Sequence, residues 1–269
     1  YASTLDKSRV PTVLTEQIRQ LHKASDQTYG MPRVHAQLRH DGQCVSRKRV
    51  AALMREAGIR GVSRRRGFTV TTERNERQRP APDLVNRRFA ATAPNELWVA
   101  DMTYIPTWAG FLYLAVVLDA FSRKVVGWAM GEEMTANLVL AALNMALHTR
   151  KPESVIHHSD QGSQYTSLAF GQRCREMGVR PSMGTVGDAY DNAMAESVIA
   201  TIKTELTKTR VWRTRLDLEL ALLTYIGWYN QRRLHRSLGG NTPNETAAAY
   251  RPDTAAQTET ESGITARTN

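Results

Sequence analysis

Apolar positions along the chain change their period twice. Over residues 12–24, 32–40 and 47–57 they recur every three or four places, which predicts three short helices. In the third, Ser46 suits an N-cap, Val50, Leu53, Met54 and Ala57 form one stripe, and Gly58 can end the helix. From residue 68 to residue 95 the sequence is polar, with Pro80, Pro82 and Pro94 and no steady period. This predicts a linker, ordered in part by Leu84, Val85 and Phe89. Three apolar, β-branched and aromatic runs follow, "LWVADMTYIPT", "FLYLAVVLDAF" and "KVVGWAMG". Separated by "WAG" and "SRK", they read as an antiparallel meander.

Helices predicted over residues 136–149, 167–177 and 192–206 then alternate with short strands over 155–158 and 179–182. A meander followed by alternating helices and strands describes an α/β fold, a mixed sheet with helices on its faces. A further helical segment spans residues 216–232, and "TPNE" at 242–245 joins capping-box spacing to a proline at the first helical position. The chain divides accordingly into a helical module (1–66), a basic and polar linker (67–95), a core (96–209), a helical extension (210–252) and a polar tail (253–269) expected to be disordered.

Charge sharpens this division. The net charge is +10, and it is not evenly spread: residues 1–95 hold 19 Lys/Arg against 8 Asp/Glu, whereas residues 96–269 hold 17 against 18. A basic N-terminal third points to a polyanion partner, most simply nucleic acid. Three short helices with a basic last one resemble a helix-turn-helix module. Arg47, Lys48 and Arg49 open the third helix, where the helix dipole disfavours positive charge and nearby phosphates would relieve the cost. Arg64, Arg65 and Arg66 follow as a basic arm able to reach phosphates. No apolar run reaches the roughly 18 residues of a membrane span, and no signal peptide opens the chain. Cys44 and Cys174 lie far apart with no spaced partners, which argues against a disulfide scaffold or zinc knuckle and suits a cytoplasmic setting.

The acidic residues carry the chemistry. Asp101 interrupts the first apolar strand, Asp160 follows the strand over 155–158, and Glu196 lies in the first turns of the helix over 192–206. Asp160 alone admits three readings: a turn former, the partner of His157 or His158 in a hydrolytic triad or transition-metal site, or one of several carboxylates around a hard cation. Consecutive strand residues point to opposite faces, so at most one of the two histidines can look into a site. A carboxylate buried without a partner is too costly to stay ionised, and three gathered together raise one another's pKa. Divalent cations solve both problems.

At these residues the chain resembles a known family. "WVADMTYIPT…YLAVVLDAFSRKVVGW", "HSDQGSQYTS" and "YDNAMAESVIATIKTEL" are similar to the catalytic core of the DDE transposases and retroviral integrases, and most of all to the bacterial insertion sequence 3 family. The 35 residues between Asp160 and Glu196 match that group, as do "YGMPRVHAQLRHDG" before the core and "YNQRRLHRSLGGNTPNE" after it, so the resemblance covers roughly residues 28–250. It implies a ribonuclease H-like fold, with Asp101, Asp160 and Glu196 as catalytic triad and metal ligands. It also implies two magnesium or manganese ions, Asp101 bridging them, and an activity that cuts element ends and joins the 3′-hydroxyl to target DNA. The DNA partners would be the element's terminal inverted repeats and its target. Because two ends must be brought together, the protein is expected to be at least a dimer on DNA. The family's active protein often carries an upstream helix-turn-helix and coiled-coil piece added by frameshift. The chain starts at Tyr1 with no long heptad run, so it is expected to be a fragment or the downstream reading frame alone.

Glu196, Ala200 and Lys203 fall on one helix face, which offers Lys203 to DNA-end phosphates, while Ile199, Ile202 and Leu206 should pack on the sheet. Arg232 and Arg233, with His235 and Arg236, are candidates for backbone phosphates or a second subunit. Asp119 is expected to form a turn with Ser122, Asp191 and Asn192 to cap the long helix, Tyr190 to pack on the sheet ahead of stacking on a base, and the five tryptophans to be core or interface residues. Two other functions fit the same residues: a metal-dependent nuclease that cuts without joining, and a DNA-binding regulator with an inactive core.

Overall fold

The computed structural model describes residues 13–62, 81–85, 89–184, 193–207 and 210–252. The expectations for Arg64, Arg65, Arg66, Tyr190, Asp191, Asn192 and the tail lie outside the described residues.

Helices α1 (Val13–Ala24), α2 (Met31–His40) and α3 (Arg47–Glu56) pack around Ile18, Val34, Leu38, Val50, Leu53 and Met54. Ser46 caps α3 by accepting the Arg49 backbone N–H at 3.2 Å, and Gly58 follows with φ +69°, a left-handed conformation that glycine adopts without penalty.

The core is one five-stranded sheet in the order β3-β2-β1-β4-β5. Strands β1 (Leu97–Thr107), β2 (Gly110–Asp119) and β3 (Val125–Gly131) form the antiparallel meander, and β4 (Val155–Ser159) and β5 (Val179–Met183) run parallel to β1. Alternate residues face opposite sides. Trp98, Ala100, Ala115 and Val117 meet α4 (Ala136–Arg150) and α5 (Leu168–Glu176) on one side. Leu97, Val99, Ile105, Leu114 and Val116 meet α6 (Ala193–Ile202) and α7 (Arg215–Gln231) on the other. Val85 joins this second core and Phe89 packs against it, so the linker is ordered at the hydrophobic residues singled out for it. Trp98 and Trp212 are buried, whereas Trp108 is 72% exposed at the β1–β2 turn, which takes it out of the core, one of the two places expected for it. There Arg213 stacks on it, guanidinium to ring centroid 5.5 Å.

The helical module is docked on the core through α7 and the segment after it. Tyr29 donates its hydroxyl hydrogen to the Arg232 carbonyl at 3.3 Å and accepts the Leu234 N–H at 2.9 Å. Its ring leans on Trp228, centroids 5.9 Å apart, and His40 contacts Glu245 at 3.1 Å. Glu245 belongs to α8 (Pro243–Ala249), where the capping box read from "TPNE" is formed.

Helix α4 approaches β3 so closely that a Cβ on Gly127 would overlap the Ala142 carbonyl oxygen and stand 2.9 Å from the Ala146 Cβ. Gly127→Ala should therefore lower unfolding free energy by about 1–3 kcal/mol, measured by denaturant melts; an unchanged midpoint would contradict the close packing.

Candidate active site

Two parallel strands set the site. Leu97, Trp98 and Val99 of β1 stand opposite Ile156, His157 and His158 of β4. Carried two residues further along each chain, this register brings Asp160 level with Asp101, on the side of Val99. Helix α6 covers that side, with Ala195, Val198, Ile199 and Ile202 in the same hydrophobic core as Val99 and Ile105. Glu196, in its first turn, is thereby held above the strand ends.

The electrostatics agree with this placement. Burial pushes the Asp101 carboxyl up to about 8, the Asp160 charge adds to the rise, and Glu196 contributes further. The Met102 N–H, which donates to Asp101 Oδ1 at 2.8 Å, and the Lys203 charge oppose it. Glu196 is raised by burial and then by Asp160. Lys203 is lowered by burial, against the pull of Asp101. Its ammonium sits 5.2 Å from the ring centroid of Tyr104, three residues beyond Asp101 on β1. Tyr104 escaped the sequence reading; its only signal there is a polar-tipped aromatic within the apolar run.

Asp160 is placed by its own loop. Gly162 donates its N–H to Asp160 Oδ1 at 3.1 Å, and a Cβ on Gly162 would stand 3.1 Å from both that oxygen and Gln164 Oε1. Among the described residues, no three His, Cys, Asp or Glu side chains are gathered closely enough to hold a metal ion. The three carboxylates feel one another without forming a closed cage. They are all oxygen donors, the set that suits a hard cation, and their mutual repulsion is what such a cation would relieve.

The other acids and histidines have different duties. Asp119 is buried and accepts the Ser122 N–H at 2.9 Å, the Ser122 hydroxyl at 2.5 Å and the Asn95 N–H at 2.8 Å, forming the turn expected of it. His157 is packed between Tyr165 and Phe170 and pushed down to about 4 by burial, hence neutral. His158 bonds to Ser182 Oγ at 2.9 Å and meets Phe89 edge-on.

Arg47, Lys48 and Arg49 are exposed on the first turn of α3, and Arg232 is exposed after α7. Arg233 is different. It is 3% exposed, with Nε 2.9 Å from Glu205 Oε2 and Nη2 2.7 Å from Glu205 Oε1. Its expected role as a surface phosphate contact gives way to a buried ion pair.

Residues 91–189 match the family model described as an integrase core domain, residues 177–243 match a second model of the same description, and residues 12–67 match an HTH-like domain. The transposase for insertion sequence element IS629 of Shigella sonnei is 44% identical over 237 residues, covering 88% of this chain and 79% of that protein. The transposase InsF for insertion sequence IS3A of Escherichia coli strain K12 is 38% identical, covering 82% of this chain and 77% of that one. The chain belongs to the insertion sequence 3 family of transposases. It is thus a transposase with an integrase catalytic core, a class of polynucleotidyl transferase that acts on DNA. Its α/β architecture is ribonuclease H-like. Among solved structures, a chain of the simian T-cell lymphotropic virus intasome, in complex with PP2A regulatory subunit B56 gamma, shares that fold. It is 14% identical, with a TM-score of 0.51 over 87% of this chain and 76% of that one. No helix among the transposase's described residues is long and apolar enough to cross a membrane.

The raised Asp101 has a thermodynamic consequence. Its folded pKa of about 8 exceeds the ordinary value of 3.8, so between those limits the native state keeps a proton that the unfolded chain releases. In chelator, stability should fall as pH rises through that window and level off above it. Asp101→Asn should flatten the fall and be the more stable protein at pH 9, by on the order of 2 kcal/mol. Parallel melting curves for the two proteins from pH 5 to pH 9 would refute this shared placement of the acids.

Proposed function

We propose that the transposase cuts the ends of its insertion sequence and joins the resulting 3′-hydroxyl to target DNA, using Asp101, Asp160 and Glu196 as a metal-binding triad. The observation that carries this reading is geometric: the β1–β4 register and the packing of α6 set three acids from three separate segments toward one side of the sheet, and their raised pKa values agree. Two magnesium or manganese ions would be held by Asp101, Asp160 and Glu196 and would supply Lewis-acid stabilisation to the attacking and leaving oxygens of an in-line displacement.

The chain's own groups do the rest. Asp101 gives up its proton when it becomes a ligand, so its raised pKa makes ligation cost more below pH 8. The Gly162 N–H keeps one oxygen of Asp160 engaged and so limits its rotamers. Lys203, partly desolvated over Tyr104 and beside Asp101, is poised to take a phosphate of the DNA end. Arg47, Lys48 and Arg49 offer three charges to the backbone of the terminal repeat, and Arg232 offers another to flanking DNA. Holding two ends for joining requires at least two copies of the chain on DNA.

Asp101→Asn, Asp160→Asn and Glu196→Gln should each remove end cleavage and joining by at least on the order of 10³-fold, with each variant still folded and binding DNA. Pre-cut ends separate joining from simple cleavage: a nuclease would leave them unjoined, and a regulator would lose nothing in any of the three variants. Neutralising Arg47, Lys48 and Arg49 together should reduce the salt slope of end binding by about 3. A slope that stays put would move the DNA off α3.

A further inference from the structure

Beyond the last turn of α6, residues Lys203–Thr207 form a π turn, a wide turn in which the chain carries an extra residue. Its third residue, Glu205, is 8% exposed and is bound by three side chains from separate parts of the molecule. Arg33 of α2 reaches Oε1 at 2.9 Å, Arg233 takes both oxygens at 2.9 and 2.7 Å, and the Tyr225 hydroxyl of α7 donates to Oε2 at 2.7 Å. His235 lies 3.2 Å from the Arg233 guanidinium, and Tyr229 lies under it. Two residues before Glu205, at the start of the same turn, stands Lys203.

We propose that Arg33 and Glu205 are positioning residues: the docked helical module grips the end of α6 and so sets Lys203 and Glu196 against Asp101. This rests on the function proposed above. The physical basis is the turn itself. An α-helix advances about 100° per residue, so relaxing the extra residue of the π turn would swing Glu205 away from its arginines or rotate α6 relative to the sheet. The side-chain bonds to Glu205 favour the wide turn, and Arg33 is the one of them that comes from the DNA-binding module. A carboxylate this buried cannot be left with no cation beside it, yet loss of Arg33 alone leaves it doubly bonded to Arg233. The module therefore contributes to geometry at the acids without being needed to keep Glu205 paired.

The test compares Arg33→Ala, Arg33→Lys and Glu196→Gln in the full chain, on labelled pre-cut terminal-repeat DNA with magnesium. Affinity for the ends and single-turnover joining at saturating DNA are measured separately. Arg33→Ala should bind ends within about twofold of the parent and join them at least tenfold more slowly, and Arg33→Lys should recover part of that loss. A wild-type joining rate in Arg33→Ala, or a loss confined to affinity, would overturn the positioning role. Should Arg33→Ala fold poorly, Arg33→Met, which keeps the aliphatic stem and drops the guanidinium, decides: joining slowed at least tenfold with end affinity within about twofold supports the positioning role, and a wild-type joining rate refutes it. An active Glu196→Gln would instead sink the proposed function itself, whatever Arg33 does.

Discussion

Asp101 stands between Ala100 and Met102 in a strand whose neighbours are almost all apolar, and a charge there is expensive unless something answers it. Much of the architecture can be read as that answer. The parallel pairing of β1 with β4 brings a second acid level with the first, and α6 lays a third over the same side. Burial raises Asp101 and Glu196, and the neighbouring carboxylates raise them further. On the proposed reading, the ligand that offsets these concentrated like charges is one of opposite sign.

Local pattern made the elements legible. Periodicity and capping residues located the three helices of the module, the meander and the strand–helix alternation, with ends that differ by a residue or two from those observed. The turn at Asp119 also followed from residue chemistry, and strand alternation put His157 and His158 on opposite faces. The parallel pairing of β1 with β4 did not, because such a register is fixed by crossover connections rather than by any short stretch of text. The three acids were legible as a set through the resemblance of their flanking segments; their placement on one side needed the register.

What escaped the sequence is non-local or solvent-determined. Residues 192–206 read as one continuous helix, but the structure changes to a π turn at Lys203, where Glu205 is held by Arg33, 172 positions away, and by Arg233, 28 away. The same pairing explains why Arg233 is buried in a segment that looks like exposed basic surface. Trp108 fails the hydrophobic rule for the opposite reason: it occupies the two-residue gap between β1 and β2, where the backbone bond from its N–H to the Trp212 carbonyl (3.0 Å) pins the turn and leaves the ring outside.

The helical module carries the excess of basic residues and the core is close to neutral, yet the core's own site is acidic and would repel DNA. On the proposed reading, that repulsion is overcome in two ways, by cations at the acids and by the module's arginines and lysines on the backbone. Neither suffices alone. Three carboxylates cannot fill the six or so oxygen positions that each of two hard cations prefers, so water and the phosphates themselves must supply the remainder. On that reading metal and DNA bind better together than apart.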